Sequence, residues 1–342
     1  MTAAGARQLV LVVGVGRSGT SLVTGILGQT GFHIPQPEIK ADETNPRGFG
    51  EPAWVVAFHR RLMSRLRVTV FDSRPAAFEI TARAGSEPAT QGQLRDWLAA
   101  QLREADALVV KDPRIGWFLP LWLSCSSDLG VPASFITMLR HPAQILASAK
   151  RSYGTWQTDA SRAASWLNVM LETERATRGT ARAFVHYENL LADWAGEVRR
   201  AGEVLGLPLL SGLERERFPQ VDEFVDPTLH RSRVSWQELA VPAAVRELAD
   251  EVWRRLLLLA EPGGDTAAVC AKLDAARDSY LTLHAEAEAI AQSAVTAVKP
   301  RRPASKQAPK APPALRVRLA RRVPERYRKG LRRAARSLRR AA

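Results

Sequence analysis

Leu9-Val10-Leu11-Val12-Val13 runs directly into Gly14-Val15-Gly16-Arg17-Ser18-Gly19-Thr20-Ser21. Five apolar residues rich in Val predict a strand buried on both faces, as in a parallel sheet. The glycines that follow predict a tight turn, and Thr20 to Gln29 has the composition of a helix. Strand, glycine turn and helix together aim backbone N–H groups and the positive end of a helix at an anion. Gly14 and Gly19 have the spacing of a nucleotide-binding P-loop, but Thr20 occupies the position where that loop requires Lys. Arg17, inside the turn, supplies a planar fork of donors instead. The anion expected here is a phosphate or sulfate, and not the terminal phosphates of ATP.

Working outward, Pro35, Pro37 and Pro46 keep the next stretch irregular. It carries Glu38 and then Asn45-Pro46-Arg47-Gly48-Phe49-Gly50-Glu51, before a helix through Trp54, Val55, Phe58 and Leu62. Residues 70–90 lack periodicity and read as a surface excursion. Leu94, Trp97, Leu98 and Leu102 have helical spacing, and Ala107–Val110 is a short strand ending in Lys111-Asp112-Pro113-Arg114. Charged groups at a strand's carboxyl end stand where open α/β sheets place their sites, although strand ends are also charged simply because they meet water. A third strand, Ser134–Leu139, exits into Arg140-His141-Pro142, with Ser148 two turns into the following helix. Arg suits bidentate, charge-assisted bonds to a phosphate. His59 reads as a helix-surface residue and His141 as a turn residue. Trp54, Trp156 and Trp166 could stack on sugar rings or fill the core. Leu190, Leu191, Trp194, Val198 and Leu205 suggest one helix closed by Gly206 and Pro208.

The segment Gly16-Arg17-Ser18-Gly19-Thr20-Ser21 resembles the 5′-phosphosulfate loop of sulfotransferases that use 3′-phosphoadenosine 5′-phosphosulfate (PAPS). Arg140 and Ser148 resemble the same enzymes' site for the ribose 3′-phosphate. Ala183 to Leu191 resembles their next strand and turn, and Phe224 to Arg231 loosely resembles a late loop that closes over the nucleotide in bacterial members. The resemblance covers about residues 8–235 and is closest to bacterial, carbohydrate-sulfotransferase-like members. It implies sulfuryl transfer from PAPS to a hydroxyl, with no metal, with nucleotide held by residues 16–21, Arg140 and Ser148, and with Arg17 stabilising the leaving charge. A hydroxyl of high pKa also needs a general base. Glu51 is the first candidate, by resemblance to a Glu after the first helix of related carbohydrate sulfotransferases, and Glu38 and Asp112 stay open. Two other classes compete. A P-loop kinase or NTPase would need a Lys at position 20 and an acidic Mg²⁺ ligand, for which only Asp112 could serve. A non-catalytic membrane- or polyanion-binding protein would have no reason to keep Arg17, Arg140 and Ser148 together.

Two cysteines, Cys125 and Cys270, cannot build a disulfide scaffold, which fits a reducing compartment. No secretory signal precedes the first strand, and no apolar run nears the roughly 20 residues that span a bilayer. A cytoplasmic protein is expected. From Lys299 onward 17 Lys or Arg face one acid, Glu325; since the chain carries +14, residues 1–298 sum to −2. The organisation expected is an α/β, P-loop-like three-layer domain with a central parallel sheet at 1–260, a helical appendage at 261–298, and a Pro-rich linker with a basic tail at 299–342. Val269, Leu273, Ala276, Tyr280, Leu283, Ala287, Ile290 and Ala294 form a heptad seam that suits either docking on the body or a homodimer. In the tail, Tyr327, Leu331, Ala335 and Leu338 fall near one helical face. That stripe suits an anionic membrane surface and a peripheral enzyme with a lipid-linked or envelope-glycan acceptor. A bare cationic arm for RNA or another polyanion is the plainer reading, and specific nucleic-acid recognition is not expected.

Overall fold

The structure is a computed structural model that describes residues 7–154, 156–226 and 234–298. Strands β1 (Gln8–Val13), β2 (Ala107–Lys111), β3 (Ala133–Leu139) and β4 (Arg182–His186) form a parallel sheet in the order β2-β1-β3-β4. Helices α1 (Thr20–Gln29), α2 (Ala53–Leu66), α3 (Ala76–Gly85) and α4 (Pro88–Glu104) lie between β1 and β2. Next come α5 (Leu119–Asp128), and then α6 (Pro142–Tyr153) and α7 (Asp159–Ala176) before β4. After β4 come α8 (Tyr187–Ala192), α9 (Trp194–Leu205), α10 (Pro208–Ser211), α11 (Pro219–Phe224), α12 (Ala243–Ala260) and α13 (Ala267–Val298).

Alternation along β1 explains the three layers. Leu9, Leu11 and Val13 face one apolar cluster, shared with α2, α4, α5, α7, α12 and α13. Val10 and Val12 face the other, shared with α1, α9 and α11. A strand covered on both sides has no polar face, so it reads as an unbroken apolar run. The chain leaves β1 toward β2 on one flank, and β3 then pairs on the other, so the turn after β1 opens where the sheet's order reverses. Ligands of open α/β sheets bind at that place.

Several expectations need correction. Residues 70–90 are no surface excursion: they contain α3 and the start of α4. The face α3 buries is made of Ala77, Thr81, Ala84 and Gly85, while Phe78 stacks on Trp117 with centroids 4.1 Å apart. Small residues permit close packing but carry little hydrophobic contrast, so no apolar stripe shows in the sequence. The single helix expected over 190–205 is broken at Asp193, whose carboxylate accepts from the Gly196 N–H at 3.0 Å and caps α9. His59 is fully buried, not on a helix surface, and Trp166 belongs to the core. The described residues up to Glu288 form one compact unit.

The seam on α13 is used for docking in its first half. Leu273, Ala276 and Tyr280 are buried, while Ala287, Ile290 and Ala294 are exposed. Ion pairs fix the same half and its approach: Arg178 to Asp274 at 2.8 Å, and Arg182 to Asp265, just before the helix, at 2.7 Å. No helix among the described residues is long and apolar enough to cross a membrane. The late loop beyond Asp226, the Pro-rich linker and the basic tail with Leu331 and Leu338 lie outside the described residues.

Candidate active site

The turn after β1 is shaped by its backbone. Gly14 and Gly19 adopt positive φ, and so does Arg17, at φ 76°. A side chain at Gly19 would meet the Tyr187 ring at 2.5 Å, so glycine is required there on two counts. Arg17 is not a glycine, and its left-handed backbone turns the guanidinium out of the loop at some cost in strain. No side chain caps α1, whose first N–H groups therefore end in the open turn. Arg17 Nε donates to Ser148 Oγ at 3.1 Å, and Arg140 donates to the Arg17 carbonyl at 3.1 Å. Arg140 also bonds Gln144 at 3.0 Å and lies 4.4 Å over the Tyr187 ring. Burial pulls its guanidinium below the usual range, against Tyr187 and Glu188. Two cations and a hydroxyl therefore converge beside a helix N-terminus.

A second cluster stands at the other end of the same loop. Lys111, at the end of β2, is buried and donates to Ser21 Oγ (3.1 Å), the Phe49 carbonyl (3.1 Å) and Glu51 (2.6 Å). All three ammonium hydrogens are thus taken. Burial pushes its pKa down, and the Glu51 carboxylate opposes that shift. Pairing Val12 with Lys111 in the β1–β2 register sets this contact one residue short of the turn. The cation that Thr20 withholds from the loop thus arrives from the neighbouring strand. Both clusters line one cavity of about 940 Å³, together with Gly16, Gly19, Thr20 and Ser21.

A profile described as "Sulfotransferase family" matches residues 9–211, more than half of the chain. The chain belongs to the sulfotransferase family. Its fold is similar to the sulfotransferase domain of the Synechococcus PCC 7002 olefin synthase, at 19% identity and TM-score 0.44, covering 75% of this chain and 98% of that one. A sulfotransferase domain from the curacin biosynthetic pathway shows 14% identity and TM-score 0.43, covering 73% and 98%. Sulfotransferase STF1 from Mycobacterium tuberculosis H37Rv shows 16% identity and TM-score 0.34, covering 64% and 76%. A search of curated proteins finds no match.

Of the positions singled out from sequence, Gly16, Arg17, Gly19, Thr20, Ser21, Glu51, Arg140 and Ser148 line the sulfotransferase's cavity. Ser18 does not: its side chain is buried behind the turn, where a Cβ on Gly14 would come within 3.2 Å of its hydroxyl. Glu38 faces a separate hollow of about 430 Å³ across α1, where Gln36 donates to it at 2.7 Å. Asp112 is fully buried and absent from the cavity wall. It accepts from His59 Nδ1 at 2.8 Å and from Arg114 at 2.7 Å, while Trp122 Nε1 donates to His59 Nε2 at 3.1 Å. Because an indole N–H can only donate, His59 carries its hydrogen on Nδ1 and gives it to Asp112. Asp112 is therefore neither an accessible base nor a free Mg²⁺ ligand. Its task is to hold Arg114, whose side chain lines the cavity.

Burial alone would raise the Asp112 carboxyl, but the His59 bond and the Arg114 charge outweigh it and hold the pKa at about 2. Relative to an unfolded value of about 3.9, that depression contributes on the order of 2–3 kcal/mol. The contribution is complete above about pH 5 and is lost as pH falls from about 4 toward 2, because the depressed group must be protonated there. Urea midpoints of the wild type and Asp112→Asn are expected to differ most at neutral pH and to approach each other below pH 4. A gap that stays constant down to pH 3 would contradict the assignment.

Lys111 stands in the charged strand end read from sequence, His59 reads there as a surface residue, and no motif singles out Arg47 by itself. Arg47 stacks 5.6 Å from the Phe224 ring, pairs with Asp226 at 3.3 Å and donates to the Phe224 carbonyl. It thereby clamps the loop carrying Phe49 and Glu51 onto α11. Gly25 lies under the same Phe224 ring, where a Cβ would come within 2.4 Å.

Proposed function

We propose that the chain moves the sulfuryl group of PAPS to a hydroxyl of a glycan, glycolipid or similar acceptor. The observation that carries this reading is the two-ended cavity: an anion cradle of Arg17, Arg140 and Ser148 at one end and the Lys111–Glu51 pair near the other. Arg140 with Ser148 suits the ribose 3′-phosphate, a dianion that gains most from a charge-assisted bond. The open N-terminus of α1 suits the 5′-phosphosulfate. PAPS supplies the sulfuryl group, its S–O bond to the phosphate breaking as the acceptor oxygen bonds sulfur, with the electron pair left on the phosphate. Glu51 takes the acceptor proton. Lys111 and Arg17, together with the first N–H groups of α1, meet the negative charge that collects on the departing phosphate. A membrane-directed role for residues 299–342 rests on their charge and apolar spacing alone.

The test is a comparison of nucleotides. Each charge-assisted contact to a 3′-phosphate is worth roughly 1.5–3 kcal/mol, so adenosine 3′,5′-bisphosphate is expected to bind more than about tenfold tighter than ADP in calorimetry. Arg140→Ala removes most of that preference. Equal affinities, or tighter ADP binding with Mg²⁺, would return the chain to the kinase class.

A further inference from the structure

Arg140 and Tyr187 have a second set of neighbours, away from the cavity. Leu139 pairs with His186 in the β3–β4 register, so Arg140 and Tyr187 leave the sheet side by side. The residue after Arg140 and the residue before Tyr187 are both histidines, and both meet one indole. Trp253 of α12 lies edge-on to His141, with centroids 5.7 Å apart, and is tilted against His186 at 5.5 Å. A second indole, Trp236, also meets His141 edge-on, at 5.8 Å. Edge-to-face rings at such distances hold each other's orientation.

Each of these partners is itself fixed. His186 Nε2 pairs with Glu188 at 2.7 Å. Trp236 Nε1 donates at 2.6 Å to Asp250, which stands one turn before Trp253 on α12. Leu248, Val252 and Leu256 bury the inner face of α12 in the core. Trp253 is no core filler: Trp117, Trp122, Trp166 and Trp194 are buried, whereas Trp253 packs at the rim and is only partly covered.

His141 passes this support on to α6. Burial holds its pKa below the ordinary value, against the charges of Asp250 and Glu188, so the ring is neutral. Nδ1 accepts from the Ala143 N–H at 3.3 Å and caps the helix. The ring hydrogen therefore sits on Nε2, 3.9 Å from Asp250 Oδ1. From that capped turn hang Gln144, which accepts from Arg140 Nε at 3.0 Å, and Ser148, one turn on, which accepts from Arg17 at 3.1 Å. A guanidinium and a hydroxyl that share one anion must be held to within about 0.5 Å, and packed neighbours supply that precision.

We propose that Trp253 and Trp236 are positioning residues for the donor: by holding His141, they set Arg140 and Ser148 at the spacing a ribose 3′-phosphate requires. The inference rests on the donor reading above and adds to it residues that touch no ligand.

The probes are adenosine 3′,5′-bisphosphate and 5′-AMP, titrated calorimetrically into the full chain. They differ only in the 3′-phosphate, so the ratio of their affinities reads the cradle and cancels general damage to the protein. Trp253→Ala is expected to lower that ratio about tenfold, by weakening the bisphosphate and leaving AMP nearly unchanged. Trp253→Phe keeps a ring against His141 and should restore most of it. His141→Asn covers the case in which Trp253→Ala fails to fold: Asn is a good helix cap, yet presents no ring to the indoles. It is expected to lower the ratio to a similar extent. An unchanged ratio in either folded variant would overturn the brace and leave His141 as a helix cap. A wild type that binds bisphosphate and AMP equally would overturn the donor reading and the brace with it, whereas a wild-type preference that survives the substitutions overturns the brace alone.

Discussion

Glu51→Gln is expected to lower turnover about 10²–10⁴-fold while leaving bisphosphate affinity nearly intact. The reasoning begins with geometry. Glu51 is nearly buried and its Oε1 accepts from Lys111 at 2.6 Å, yet the side chain lines the same cavity as the anion cradle. Glutamine has the same shape, and its amide oxygen can still accept from Lys111. Residues 39–51 should therefore keep their place, held by the Ile39–Glu51 backbone bond at 2.8 Å and by Arg47 on α11. What the variant cannot do is take a proton. Arg17, Arg140 and Ser148 are untouched, so nucleotide binding supplies the internal control. Single-turnover rates with PAPS, set against calorimetric affinities, read the two quantities separately. Full turnover in the Gln variant would remove Glu51 from the chemistry and reduce its pairing with Lys111 to a structural one.

The parts of this site that were legible in sequence are those set by contiguous residues. An apolar–polar alternation is absent from β1 because both faces are covered, and the glycines that follow have one steric reading, so strand, turn and first helix were all evident. Arg140 and Ser148 were legible through their resemblance to the 3′-phosphate site of sulfotransferases. Lys111 was not. Its meeting with Ser21 depends on the β1–β2 register, in which Val12 pairs with Lys111, and no local pattern encodes that pairing. His59 shows a different failure. Val55, His59 and Leu62 share the buried face of α2, so the helical spacing was available, but a His within His59-Arg60-Arg61 looks solvated until Asp112 and Trp122 arrive from β2 and α5. Asp112 was legible as a charged strand end and misplaced as a candidate base for the same reason: its partners are distant in sequence.

Lys111→Met is expected to reduce turnover about 10²–10³-fold, the loss typical of one preorganised donor at a developing charge. It also has a consequence for folding that a purely catalytic residue would not have. The ammonium is fully buried, and removing it leaves the nearly buried Glu51 carboxylate without its partner, a change worth roughly 3–5 kcal/mol of stability. The double variant Lys111→Met with Glu51→Gln has no orphaned charge, so it should recover much of the lost stability and none of the activity. Activity should couple in the opposite sense. While Glu51 is ionised it holds one of the three Lys111 hydrogens; once it accepts the acceptor proton that grip weakens, and the lysine can turn toward the charge building beside Ser21. Two residues that act in one such step give a turnover loss in the double variant close to that of the worse single variant. A double-mutant cycle measured on single-turnover rates and on urea midpoints checks both halves. Losses in turnover that simply multiply would show that Lys111 and Glu51 act independently, and a double variant no more stable than Lys111→Met would show that the buried carboxylate was not what destabilised it.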